Sequence, residues 1–352
     1  CPYTIYQVYG DERVIERHYD SMQEFMRFRM KNSPDFLGVE IGNGWGDWLS
    51  LGEKTPIEYI DTVYFAYSAK LMAEMAAAIG RDDDAKEYNQ LFENIRSAFQ
   101  KKYLTSTGKL SIDNQTTYAL ALSVGLIPGE LIEPAAVRLV ELIQENDNRM
   151  STGFLGTRPL LPVLTQTGYN DLACRLLQSR RYPSWGYEIA NGATSIWERW
   201  NSYTKEDGFA SVSMNSFSHY SFGAVCEWMF RWLAGIDCEA PGYKEIVIAP
   251  HPPAPGSNPE QEAIHWVKAE YGSIYGLIKS HWKREENRFI LEIAIPANTR
   301  AKVFLPAASR DSIRINENDL KDAEGIQVLG EESGRFILAV NAGEYRFTSA
   351  ME

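Results

Sequence analysis

Apolar residues recur at three- and four-residue steps through the first part of the chain, and in its last third they alternate with polar ones. Between Thr4 and about Met30, the residues Ile5, Val8, Tyr9, Val14, Ile15, Tyr19, Met22, Phe25 and Met26 follow a helical pattern. Gly10-Asp11 interrupts it, and Asp11 is suited to cap the second segment. Thr55-Pro56-Ile57-Glu58 reads as a helix start, with Thr55 as cap, Pro56 at the first helical position and Glu58 completing a capping box. The helix it opens runs to Ile79 and stops at Gly80. It is apolar around much of its circumference, so burial on more than one side is expected. Asp82-Asp83-Asp84 caps the following helix, since the ligand spacing of a calcium loop is absent. Further helices are expected over 114–124, 129–145, 157–167 and 170–178, with a long one from His219 to Leu233. Ser151 to Gly156 reads as a Gly-bounded loop. About nine helices with short connectors point to a bundle, a solenoid or a toroid of helical hairpins. No repeat of about 20–50 residues is visible, which counts against a simple solenoid.

The texture changes at Ala240-Pro241-Gly242. Short runs rich in Val, Ile, Tyr and Phe follow, separated by Gly, Pro and Asn, and predict an antiparallel β-sandwich of about eight strands. Pro250 to Pro259 is a loop within it. The expected domains are therefore residues 1–239, helical, and 240–352, all-β.

Two stretches fit neither pattern. Gly38 to Gly52 is Gly-rich, aromatic and acidic, and holds Asp47 between Trp45 and Trp48. Tyr187 to Trp200 ends in W-E-R-W and holds Glu198 between Trp197 and Trp200, with Thr194, Ser195 and Asn201 close by. Indole faces stack on the C–H faces of a pyranose, polar groups read its hydroxyls, and a carboxylate beside aromatic walls suits proton transfer. Core packing of the indoles with a Glu198–Arg199 ion pair is the competing explanation from these residues alone.

The aromatic share of 12 %, with nine Trp and nineteen Tyr among 352 residues, is high and modestly favours carbohydrate chemistry. A net charge of −12 with no Lys/Arg run argues against nucleic acid as a partner. No apolar segment approaches the ~20 residues that span a bilayer. The start, C-P-Y-T-I-Y-Q, carries neither a signal-peptide pattern nor an initiator Met, so a longer polypeptide is expected. Cys1, Cys174, Cys226 and Cys238 have no metal-site spacing. Cys174 and Cys226 read as buried thiols, which leaves Cys226–Cys238 as a candidate bridge. Neither a metal nor another cofactor is expected.

Five stretches together resemble bacterial α-L-rhamnosidases. They are Y-Q-V-Y-G-D (Tyr6 to Asp11), G-W-G-D-W-L (Gly44 to Leu49), S-T-G-F-L-G-T (Ser151 to Thr157), Y-P-S-W-G-Y with G-A-T-S-I-W-E-R-W (Tyr182 to Trp200), and S-H-Y-S-F-G-A-V-C-E-W (Ser218 to Trp228). The resemblance implies an (α/α)6 barrel followed by a β-sandwich, with β-rich domains ahead of the barrel, so this chain reads as a C-terminal portion beginning inside it. It implies hydrolysis with inversion, in which an acid and a base about 6.5–9.5 Å apart leave room for water. Glu198 matches the base, and the acid is expected upstream of residue 1. Asp47 and His219 match sugar-pocket positions; Trp45, Trp48 and Trp185 are candidate stacking walls, with Trp197 beside the base. The implied partners are a rhamnose-containing glycoside and the remaining N-terminal domains. An open toroid would expose apolar helix faces, which a homodimer would cover. A bacterial cytoplasmic or periplasmic location is expected ahead of a membrane one. Another hydrolase or lyase on a helical toroid, or a binding fragment without turnover, are the alternatives.

Overall fold

A computed structural model describes residues 1–40 and 44–351. Ile41, Gly42 and Asn43 of the Gly38–Gly52 loop lie outside the described residues. The chain divides into two compact units: one is Glu16–Val225, and the other combines Cys1–Ile15 with Cys226–Glu352.

The first unit contains α2 (Arg13–Asn32, nearly all of it), α3 (Ile57–Ala78), α4 (Asp82–Tyr103), α5 (Gln115–Val124), α6 (Ile132–Glu145), α7 (Phe154–Gln166), α8 (Asn170–Gln178), α9 (Trp185–Ala190) and the short antiparallel pair β1 (Tyr203–Thr204) and β2 (Gly208–Phe209). Sequential pairs form hairpins: α3 packs on α4, α5 on α6, and α7 on α8. Additionally α3 meets α5 and α5 meets α7, so these three form an inner row. Composition decides which helix goes where. In α5, Gln115 to Ala121 is buried without a break, whereas α6 buries one stripe, Ala135, Ala136, Leu139, Val140 and Ile143. Helices apolar all round go inside, and amphipathic ones cover them. Tyr59 of α3 packs edge-on against Phe99 and Tyr103 of α4, and its hydroxyl donates to the Thr117 carbonyl of α5 at 2.8 Å.

Helix starts are where local reading and structure diverge. Asn114 caps α5 with a complete capping box. Thr55 does not cap α3: Pro56 occupies the cap position, and the Thr55 hydroxyl donates to the Asn114 side chain. The expected loop Ser151–Gly156 is half helix, because α7 begins at Phe154 with Gly153 as its cap residue. The expected helix from His219 to Leu233 is broken into a 3-10 turn (Ser221–Ala224), α10 (Val225–Trp228) and a π-turn (Met229–Leu233). Its last carbonyls leave the helical ladder: Leu233 accepts from Trp282 Nε1 and Ala234 from the Ser280 hydroxyl. Cys226 is exposed rather than buried, Cys174 is buried, and all four cysteines are free, so no Cys226–Cys238 bridge forms.

In the second unit, strands β3 (Ile236–Cys238), β4 (Glu245–Ile248), β5 (Trp266–Ser273), β6 (Gly276–Glu285), β7 (Arg288–Pro306), β8 (Arg314–Ile315), β9 (Asn318–Asp319), β10 (Ile326–Glu332) and β11 (Arg335–Ala350) form a sheet system in which β7 and β11 pair along nearly their whole length. The runs R-F-I-L-E-I-A-I-P (Arg288 to Pro296) and R-A-K-V-F-L-P (Arg300 to Pro306), expected as separate strands, are both β7. Its first half pairs with β6 and its second with β4, so one strand joins both to the same sheet. All pairings are antiparallel except β4–β7, which is parallel. Phe289, Leu291, Ile293, Val303 and Leu305 point inward with Leu338, Val340 and Phe347. Helix α1 (Pro2–Tyr9) belongs to this unit, and Gly10 at φ 66° lies against Gly242, where an added Cβ would sit 3.3 Å from the Gly10 Cα and N.

Candidate active site

Glu198 and His219 come together through backbone pairing of two irregular segments. The Glu198 N–H donates to the Ser216 carbonyl at 2.9 Å, and the His219 N–H donates to the Ile196 carbonyl at 2.9 Å. The Ser195 hydroxyl donates to the Phe217 carbonyl. Within this ladder the Ser216 N–H donates to Glu198 Oε2 at 2.8 Å, fixing the carboxylate of a half-buried residue. His219 precedes the 3-10 turn instead of starting a long helix. Its Nδ1 accepts from the Ser221 N–H at 3.3 Å, which in the neutral ring leaves Nε2 as the donor. The imidazole lies between Phe154, at 5.1 Å between ring centres, and Tyr220, at 5.5 Å, stacked on both.

Phe154 also lines an apolar pocket of about 660 Å³, together with Trp45, Trp48, Ile60, Tyr64 and Met214. That size suits a small ligand. Trp45 is 72 % exposed and stands edge-on to Trp48 at 4.8 Å, so it offers an open indole face. Met214 joins this pocket to the Glu198 segment, its carbonyl lying 3.5 Å from Arg199 Nη1. Burial raises the Tyr64 phenol above its ordinary value, which keeps it a neutral hydroxyl.

Asp47 is placed differently from its neighbours. Its Oδ2 accepts from Thr116 Oγ1 at 2.5 Å and from the Gly153 N–H at 2.8 Å. Its Oδ1 accepts from the N–H groups of Leu155 (2.8 Å) and Gly156 (3.1 Å). The carboxylate therefore caps α7 from a distant loop, where the helix dipole favours negative charge. With two bonds at each oxygen and 7 % exposure, it is committed to the protein, and a direct sugar contact is not what this geometry offers. The glycines of S-T-G-F-L-G-T follow from the same docking. A Cβ on Gly153 would lie 2.2 Å from the Trp48 carbonyl oxygen, and one on Gly156 would lie 2.6 Å from Thr116 Oγ1.

The remaining indoles are pillars. Trp185 Nε1 donates to the Phe222 carbonyl and Trp200 Nε1 to the Thr152 carbonyl. Trp200 stacks on Phe222 at 4.0 Å and meets Trp185 edge-on. Trp197 packs edge-on against Phe217. All three are buried, so Trp185, expected as a stacking wall, has almost no face open in this structure. Phe154 and Ser216 are site residues that the sequence reading did not single out. The glycines flanking Phe154 were a usable signal for it, whereas Ser216 carries none, because its contribution is a backbone N–H. Glu188 was also missed. It is buried on α9, and burial pushes its carboxyl up to about 8. Among the described residues no group of three or more His, Cys, Asp or Glu side chains is placed to hold a metal ion. No described helix is long and apolar enough to cross a membrane.

Comparison with known proteins places this arrangement. Residues 1–233 match the model of the bacterial alpha-L-rhamnosidase 6 hairpin glycosidase domain, and residues 235–319 that of the bacterial alpha-L-rhamnosidase C-terminal domain. An alpha-L-rhamnosidase of Streptomyces avermitilis is 40 % identical over 99 % of this chain, which covers 32 % of that protein. One from Formosa agariphila is 35 % identical over 98 % of the chain and 37 % of its own length. Among solved structures, the Streptomyces avermitilis enzyme complexed with L-rhamnose superposes over 99 % of this chain and 32 % of its own with a TM-score of 0.90. The alpha-L-rhamnosidase from Dictyoglumus thermophilum, 31 % identical, superposes over 100 % of this chain and 38 % of its own at 0.87. The chain thus spans about a third of the length of the curated relatives it matches. With a six-hairpin glycosidase domain and the family's C-terminal domain in sequence, it belongs to the bacterial α-L-rhamnosidase family.

Proposed function

We propose that this chain carries the base side of an inverting α-L-rhamnosidase, releasing terminal α-L-rhamnose from a glycan or glycoside. The observation that carries the reading is Glu198, half-buried, with Oε2 held by the Ser216 N–H and its segment tied by backbone pairing to His219. Oε1 is the oxygen that takes the proton from an attacking water, on the face of the sugar opposite the leaving group. The N–H edge of His219, held by its aromatic neighbours, donates to a sugar hydroxyl. Trp45, with Trp48 at its edge, supplies the wall for the ring and its methyl group. Asp47, Trp185 and Trp197 act by fixing these parts. The general acid comes from elsewhere in the longer polypeptide: Glu188, whose carboxyl burial raises, is closed off by that burial.

The test uses the full polypeptide and an aryl α-L-rhamnoside. Glu198→Gln is expected to lower kcat by about 10²–10⁴-fold while leaving rhamnose binding in place. Turnover at the parent rate would reject the base. Proton NMR of the first-formed product should show the β anomer, and initial release of the α anomer would reject inversion.

A further inference from the structure

A second pocket, of about 480 Å³, lies on the sheet of the second unit, around Trp266, His281, Ile290 and Arg346. Strand register explains what lines it. Trp282, Leu291 and Phe347 stand opposite one another on β6, β7 and β11 and are buried in the core. Their neighbours along each strand therefore point to the other face. There Lys268 faces His281, His281 faces Glu292 and Glu292 faces Arg346, so one polar row crosses β5, β6, β7 and β11. In the next row, Trp266 faces Lys283 and Lys283 faces Ile290.

This face joins an aromatic wall to a mixed set of hydrogen-bonding groups. Trp266 is 54 % exposed, so its indole has a face open to a ligand, and the nearly buried Ile290 forms an apolar floor. In the row beside them Lys268 and Arg346 donate and Glu292 accepts. Burial lowers His281 below the ordinary histidine value, with Lys279 acting the same way, so its neutral ring does both. Neighbouring strands lie about 4.8 Å apart, close enough for two or three of these side chains to reach hydroxyls of one sugar ring. The charges on this face largely cancel: Lys283 pairs with Glu285 at 2.6 Å and Arg346 with Glu292 at 3.4 Å. A phosphate or carboxylate ligand would be set against these two acids, whereas an uncharged hydroxylated ring meets donors and acceptors together.

We propose that this pocket is a second saccharide site, which holds an uncharged pyranose of the rhamnose-bearing glycan while the site around Glu198 acts on its terminus. This deepens the function proposed above and rests on that reading of the substrate. The pocket belongs to one unit and Glu198 to the other, within a single polypeptide. A glycan that engages both sites is retained more strongly than a small glycoside that fills one.

The test uses the full polypeptide, an aryl α-L-rhamnoside, and a soluble uncharged polysaccharide bearing terminal α-L-rhamnose. In a Glu198→Gln background, electrophoresis through a gel containing the polysaccharide should show retardation. Adding Trp266→Ala should weaken that retention at least about threefold, and Trp266→Phe, which keeps a stacking ring, should weaken it less. With Glu198 intact, Trp266→Ala should raise KM for the polysaccharide by a similar factor and leave kcat and KM on the aryl rhamnoside within about twofold. Amide exchange read by mass spectrometry gives a local measure. Polysaccharide added to Glu198→Gln should slow exchange in Trp266–Ser273 and Gly276–Glu285, and should no longer do so once Trp266→Ala is present. Trp266 lies at the surface, so an unchanged Tm in its variants separates lost binding from lost folding. Retention of Trp266→Ala equal to that of its background, or unaltered exchange in these two strands, overturns the second site. A parent that hydrolyses neither substrate overturns the function proposed above and, with it, the ligand given to this pocket.

Discussion

Two carboxylates within one unit are buried by different means, and their partners explain the difference. Asp47 meets a hydroxyl and three backbone N–H groups at a helix start, whereas Glu188 Oε1 is buried with no hydrogen-bond partner, and burial raises its carboxyl. Asp47→Asn keeps the shape but exchanges an acceptor oxygen for an NH2 that faces donors. It should cost about 2–4 kcal/mol of stability in urea unfolding and weaken rhamnose binding through displacement of the Trp45–Trp48 loop. An unchanged unfolding midpoint would mean that the cap contributes nothing. At this scale the sequence announced Asp47 by its flanking indoles, yet gave it the wrong neighbours to consider. Its donors lie 69 to 109 residues further along, a distance no local pattern encodes. For Glu198 the flanking indoles are contiguous in W-E-R-W, whereas Ser216, whose N–H holds its carboxylate, lies 18 residues further on.

Among the elements, those whose start is chosen by adjacent residues were readable and those capped from afar were not. Asn114 caps α5 with Thr117 and follows the local rule. Helix α7 has Gly153 at its cap position with no side chain to offer, and Asp47 supplies what is lacking. Gly153 is there because two backbones touch: the Phe154 N–H donates to the Trp48 carbonyl at 3.0 Å, and the Leu51 N–H to the Ser151 carbonyl at 2.9 Å. Gly153→Ala should therefore separate the Gly44–Gly52 loop from α7, lowering Tm by several degrees and reducing affinity for rhamnose. The same Tm and affinity as the parent would show that the loops can part at no cost. The end of the 219–233 stretch was misread for a related reason. Its periodicity is helical, but its final carbonyls bond to Trp282 and Ser280, almost fifty residues away.

For the whole molecule, the division into a toroid of hairpins and a sheet-rich part was visible in the change of hydrophobic period. What the period could not convey is that residues Cys1–Ile15 belong with the second unit. Helix α1 has no buried residue of its own, and its end is fitted to the turn at Pro241–Tyr243 through the Gly10–Gly242 approach. Gly242→Val would place bulk against Gly10 at a position where φ is 85° and side chains are strained. The prediction is that amide exchange in Pro2–Tyr9 accelerates at least about tenfold while α3 and α5 are unaffected, as read by mass spectrometry. Uniform acceleration across both units would contradict it.

The placement of α1 also fixes an order in time. On the ribosome it is among the first parts of this chain to be made, and the turn that receives it follows more than two hundred residues later. At typical synthesis rates of about 5–20 residues per second, that is a wait on the order of ten to fifty seconds. Through this interval the hairpins of Glu16–Val225 can complete themselves, while the turn that α1 packs on is not yet made. A helix of eight residues is marginal in water without packing, so α1 gains the stability of this contact only when that turn arrives. A piece synthesised early is therefore folded late, and a nascent chain halted before Pro241 should leave Pro2–Tyr9 open to proteases.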